Sequence, residues 1–407
     1  MPRIPNCCFH TRTGQEFVAL NAFIERGQRE GWENLEGEDE PTDTRQPLAS
    51  AVLSAIRRAN DVGDVEGLHE RFPRAHGPFI DMLEENGQSL PFVILLDDGR
   101  IVTRIGSPWE AGRVIVIDDR EISELGPEVI SVGISPNRRF FALATKSGVS
   151  IRQGLDGPES VRLPWPSGKE GVPSEFTVEA ISGTPTITTL CPFDSGEKVL
   201  LVSPEGVFVL GHERADRLLP TKEQLREHFE WLRKDYPDDP LSYDLSMEHG
   251  SLSPNGKWIA AGQQSSLHYI FDVNTLEIVG EIGHLSEYPH YAVFSADSSM
   301  VALSSCHFYN GETVGVPTEL LPGLETEPYE TDNRCTVLEE GSRVYAAVSR
   351  GDEFIIGDAS GYLRAFDLMG NFRWQHFIGS SVGDIDISPD GKQLVVTTYA
   401  GFLSILN

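Results

Sequence analysis

The 407-residue chain repeats itself. Five segments share one order of residues: Ser, a short turn, an apolar strand, a turn of small residues, and a second strand that often closes on Phe-Asp. They begin at Ser135, Ser253, Ser295, Ser349 and Ser388, and weaker members of the pattern begin at Leu96 and Cys191. Successive starts lie 39, 56, 62, 42, 54 and 39 residues apart, so the shortest unit is 39 residues and the longer steps carry insertions. Self-similarity at such a period decides the fold before any single residue does.

A unit of about 40 to 45 residues holding four short strands is a propeller blade. Seven units predict an all-β, seven-bladed β-propeller over residues 89–407. The turns agree: Ser-Pro-Asn-Gly and Ser-Pro-Asp-Gly preset φ at proline and free it at glycine, as tight hairpins require. With 39 Gly and 26 Pro, the composition also favours short elements joined by turns. The last unit starts at Ser388 and the chain ends at Asn407, which leaves no room for an outer fourth strand. An open blade edge invites pairing, so residues 1–13 are expected to supply the missing strand, with 6–13 forming it.

The Ser-Pro-Asp/Asn-Gly-Lys turns, the Phe271-Asp272 and Phe366-Asp367 pairs, and Gly283-His284 resemble the WD-repeat family, where Trp-Asp and Gly-His stand at these places. Ala365 to Trp374 is similar to the Ala-x-Asp-x-x-x-Gly-x-x-x-Trp repeat of quinoprotein-type propellers. That motif occurs clearly once, so no quinone and no other cofactor is expected. The resemblance implies a propeller fold and says little of activity, since one fold hosts many functions.

Outside the blades, residues 14–88 read as a helical and acidic appendage. Phe17, Leu20, Phe23 and Ile24 share one helical face, residues 30–46 are rich in acids, and Leu48, Val52, Leu53 and Ile56 have helical spacing over 47–59. A helical insertion is expected at 221–240, with Thr221 as N-cap and Leu225, Phe229 and Leu232 on one stripe. An acidic loop spans 317–332, a kind of place where binding residues gather.

The formal charge of −29 repels phosphate backbones and anionic lipid heads, so neither nucleic acid nor membrane is an expected partner. Such a field favours a protein partner, and a basic one above others. No apolar stretch of membrane-spanning length is present, and the first residues lack the order of a secretion signal. Five cysteines without CxxC spacing fit reduced thiols, and together these features predict a bacterial-type cytoplasmic protein.

Hydrolase elbows, phosphate loops, dinucleotide fingerprints and HExxH are all missing. No catalytic residue is therefore assigned. Counting four and five residues back from the shared serine gives Glu248-His249, His290-Tyr291 and Gly383-Asp384, which should ring one mouth of the central channel. Adjacent turns should add Gln263, His307, Asp358, Tyr399, His284 and Glu287 at the same face. The candidate ligand-binding set is Glu248, His249, His290, Tyr291, His307 and Asp384, and His249, His290 and His307 are the residues that would hold a metal. The reading that follows is a non-catalytic propeller that scaffolds or binds a protein. Two alternatives share the surface: an immunity protein neutralising a basic toxin, and a metal-dependent hydrolase or lactonase working at the channel mouth.

Overall fold

The computed structural model describes residues 88–407 except Tyr309, and from the first 87 residues only 19, 22, 23, 26, 27, 29–35, 37–39, 41, 49–64 and 67. Seven antiparallel sheets stand around one axis, at 93–124, 129–163, 189–219, 249–282, 288–340, 344–377 and 382–406, here called blades 1 to 7. The seven-bladed β-propeller is thus the fold. Within each blade the innermost strand begins at one mouth of the channel, called the upper mouth, and the chain then meanders outward by hairpins.

The repeated serine explains itself in the first hairpin. In blade 4, Ser253 Oγ donates to Asn255 Oδ1 (2.8 Å) and accepts from Trp258 N (2.9 Å), while Gly256 N donates to Ser253 O. Ser135, Ser295 and Ser388 make the same set with Asn137, Asp297 and Asp390. The fourth turn residue has positive φ, which glycine adopts freely at Gly256 and Gly391. Arg138 and Ser298 adopt it without that freedom, and each spends its side chain on a neighbouring blade: Arg138 reaches Asp386 of blade 7, and Ser298 Oγ accepts from Asn255 N of blade 4.

An apolar cluster fills every seam between neighbouring blades. The seam of blades 7 and 1 is small, with Val93, Leu95, Ile101 and Val395 as its buried members. Polar bonds reinforce it: Val93 N donates to Asp384 Oδ2 (2.8 Å) and Leu95 N to Asp386 Oδ2 (2.7 Å), and the Arg138 guanidinium grips Asp386 from blade 2. Gly383 allows this closeness, because a Cβ there would sit 2.2 Å from Leu90 O.

Blade 7 shows three strands among the described residues. The expected closing strand at 1–13 lies outside the described residues, as does most of 14–88. Of that appendage the structure describes a 3-10 turn at Trp32–Leu35 and helix α1, Ala49–Val62, which touches the outer strand of blade 6. The insertion before blade 4 is helix α2, Lys222–Asp235, closed by a capping box in which Thr221 Oγ1 accepts from Gln224 N and Gln224 Oε1 accepts from Thr221 N. Its Leu225 and Phe229 are buried against Phe176, Val172, Val178, Leu241 and Tyr243.

The acidic loop is strapped to the outer strand of blade 4. Leu324–Glu325 pairs in parallel with the outer strand of blade 4, Ile278–Ile282, and Leu321 and Leu324 enter the seam of blades 4 and 5. Its acids Glu319, Glu325, Glu327 and Glu330 face solvent. This strap protects the blade edge, an apolar and hydrogen-bonding function that its acidic composition conceals.

Candidate functional site

A cavity of about 1610 Å³ runs through the ring. Glu248, His249, His290, Tyr291 and Asp384 line it, and His307 does not. The structure therefore assembles five of the six expected residues and sets the sixth apart. His307 ends the long strand Met300–His307, which pairs with Asn310–Pro317, and its Nδ1 meets Glu287 Oε2 at 2.6 Å.

The five do different work. Asp384 is the clasp of the 7–1 seam, and burial, then the neighbouring Asp386, pushes its carboxyl up to about 7 against the Val93 hydrogen bond. His249 borders the cavity but turns its ring into blade 4. Its Nδ1 contacts Met247 O, so Nδ1 carries the proton; His268 Nδ1–H then donates to His249 Nε2 at 3.0 Å, leaving His268 Nε2 as a buried acceptor with no partner. Burial pushes His249 down to about 4 and His268 well below its ordinary value. Both rings are neutral at pH 7. Tyr291 packs in the seam of blades 5 and 6, where burial raises its phenol.

Glu248 and His290 remain available. Glu248 Oε1 and both ring nitrogens of His290 are buried with no hydrogen-bond partner among the described residues. Burial drives His290 down to about 3, helped by the Arg343 charge. Burial also lifts Glu248 to about 7, with the Glu205 charge adding to the shift and a hydrogen bond from Thr188 opposing it. Arg343, Tyr345 and Trp109, with the expected turn residue Tyr399, complete this mouth. Arg343 lies 5.0 Å above the Tyr345 ring, its Nη1 donates to Phe308 O, and its Nε is buried without a partner among the described residues. Tyr345 meets His290 at 5.3 Å and Tyr399 at 5.5 Å between ring centroids, which makes an aromatic wall across blades 5 to 7. Trp109 of blade 1 is exposed at the same end.

Tyr399 was expected at this face as a turn residue. Tyr345 was within reach of the same count: four residues back from Ser349, it occupies the place that His249, Tyr291 and Asp384 hold in their blades. Inner-strand bulges, with the register shifting between Pro289 and Tyr291, Val344 and Ala346, and Val382 and Asp384, disturb the strict alternation on which the count rested. Glu205 carried no signal of its own, because the turn Ser203-Pro-Glu-Gly206 reads as an ordinary hairpin. Asp358, expected at the mouth, is instead buried in an ion pair with Arg364 (2.6 Å). Among the described residues, no three His, Cys, Asp or Glu side chains are arranged to hold a metal.

No family model and no curated protein matches this chain. Many solved structures match in shape. A chain from the crystal structure of the Mitotic Checkpoint Complex superposes with a TM-score of 0.52 at 12% identity, covering 78% of this chain and 86% of that one. The computationally designed Ika8 protein gives a TM-score of 0.48 at 14% identity, covering 80% of this chain and 98% of its own. At such identities the likeness is one of fold alone. No helix among the described residues is long and apolar enough to cross a membrane.

Proposed function

We propose that this WD-repeat-like propeller is a non-catalytic binding protein whose working surface is the upper mouth, and that its partner is a protein with a basic contact surface. The observation that carries this reading is the concentration there of buried polar atoms without a partner among the described residues, on Glu248, His290 and Arg343, beside the Tyr345–Tyr399 wall. Folded chains pair buried polar groups with few exceptions, so several exceptions in one concave place mark a place built for another molecule. Aromatic side chains at its border add apolar area with a polar edge, the composition of interface anchors. The overall charge of −29 steers basic partners toward any face of this protein, and the mouth then selects among them.

Capture from a host extract tests the reading. The wild type and a Phe229→Ala variant, altered at helix α2, should retain the same partner, and Trp109→Ala with Tyr399→Ala should lose it. Equal capture by the mouth variant would move the working surface elsewhere.

A further inference from the structure

Four imidazoles gather where the upper ends of blades 4 and 5 come together. His249 opens the strand His249–Leu252, His268 opens the strand His268–Asp272, His284 follows the outer strand Ile278–Ile282, and His290 lies in the inner strand Tyr288–Phe294 of blade 5. His249, His268 and His284 are buried. His268 Nδ1 donates to His249 Nε2 at 3.0 Å with ring centroids 5.0 Å apart, and the charges of His284 and His290 reach His268. Gly262, paired with His249, makes the room, because a Cβ there would sit 2.7 Å from the His249 ring. Among the described residues these rings do not converge as metal ligands.

The hydrogen bonds of the pair require neutral rings. Met247 O takes the His249 Nδ1 proton, so His249 Nε2 must stay bare to accept from His268. A proton on His249 Nε2 removes that acceptor, and His268 can answer only by moving its own proton to Nε2, which has no partner among the described residues. Neither nitrogen of His290 has one there either. No carboxylate among the described residues compensates a positive ring: the charges that act on His268 and His290 are those of the other histidines and of Arg343 from blade 6. Glu248, next in sequence to His249, bonds with Thr188 and feels Glu205 on the side of blade 3, Glu287 is held by His307, and burial raises the Cys306 thiol of blade 5, which keeps it uncharged.

We propose that this histidine cluster is an acid-operated catch: in acid the upper ends of blades 4 and 5 come apart at 246–250, 262–268 and 284–290, while the ring below them stays closed. The catch operates whatever the mouth holds. Opening stays local because two residues along the strand from His268 the apolar seam begins, with Ile270, Ile282, Phe294 and Val301 packed against Leu321 and Leu324 of the strap. Its direction follows from burial. An exposed histidine gains a proton near pH 6.5, whereas burial holds His249 down at about 4, His290 at about 3 and His268 well below its ordinary value. Stability from each is full above pH 6.5 and is lost as pH falls toward the folded value. Between pH 7 and 5 each histidine freed favours the open form about 20-fold, and Glu248, lifted to about 7 by burial and so protonated while folded, opposes about 40-fold when freed with them. Three histidines against one carboxyl leave opening favoured on the order of a hundredfold.

Hydrogen exchange of the full chain at pH 7 and pH 5, with rates corrected for the intrinsic pH dependence of amide exchange, tests this. Protection should fall on the order of a hundredfold at 246–250, 262–268 and 284–290, and by less than about fivefold in the strands of blades 3 and 6 at 199–210 and 353–367. His268→Asn, whose amide still donates to His249 Nε2 and takes up no proton, should cut the local fall to about tenfold, and His290→Gln should do the same. A melting curve at pH 7 like that of the wild type shows that each variant is folded. An equal loss of protection in every blade of the wild type, no loss at the three segments, or the full loss persisting in a folded variant would overturn the proposal.

Discussion

Asp384 and His290 line the same cavity and respond to acid in opposite senses. Burial raises Asp384 to about 7 from an ordinary 3.8, so the folded state holds its proton more tightly than the unfolded chain does. Stability from this group is full below about pH 4 and is lost as pH rises through 7, by as much as about 4 kcal/mol at 1.36 kcal/mol per unit. His290 is depressed to about 3 from 6.5, so its contribution is full above pH 6.5 and is lost as pH falls, by about 2 kcal/mol at pH 5. The two partly cancel in the wild type between pH 5 and 6.5. Melting temperatures against pH should separate them: Asp384→Asn, which keeps an acceptor for Val93 N, should lose stability more steeply toward acid than the wild type, and His290→Gln less steeply. Parallel profiles for all three proteins would contradict the burial assigned to these groups. The sequence placed Asp384 and His290 at the channel mouth, one position out of step with each other in their blades. It did not show that Asp384 would be a clasp, its counterpart Tyr291 a seam residue and His290 open to the cavity, because that depends on which neighbour each inner-strand bulge turns it toward.

At the scale of elements, helix α2 was legible almost completely. Thr221 at the cap and the Leu225–Phe229 stripe are local signals, and local signals survive folding. What they cover was not legible, since Phe176 lies far away in sequence and meets Phe229 edge to face at 5.3 Å. Thr221→Ala should cost about 1 kcal/mol, the usual worth of an N-cap. Phe229→Ala should cost about 3 to 5 kcal/mol within its own cluster. Because that cluster meets the seam of blades 3 and 4 at its edge, through the half-buried Tyr243, hydrogen exchange should rise in 165–182 and 222–243 while the blades stay protected. Faster exchange throughout the ring would mean that α2 is part of the ring's cooperative unit. What fastens the strap at 317–332 was not legible for the converse reason: its acids dominate the composition, and the two leucines that hold it, Leu321 and Leu324, are too few to show a period.

For the whole molecule, the repeat was readable because each blade needs the same serine-centred turn, and ring closure was not, because it depends on one seam that breaks the symmetry. The small 7–1 cluster leans on Asp386, which accepts from Leu95 N and from both Arg138 terminal nitrogens. Asp386→Ala should therefore cost about 3 kcal/mol, more than a surface ion pair would, since it strands a partly buried guanidinium. Thermal unfolding that matches the wild type would show that the clasp is not needed. A protein that works through its upper mouth is shielded there when bound, and hydrogen exchange of the full chain with and without its captured partner measures this. Protection on binding is predicted at 246–249, 286–291, 342–345 and 398–402, segments drawn from four blades that meet only at that mouth. Protection confined to helix α2 and the 317–332 strap would contradict it.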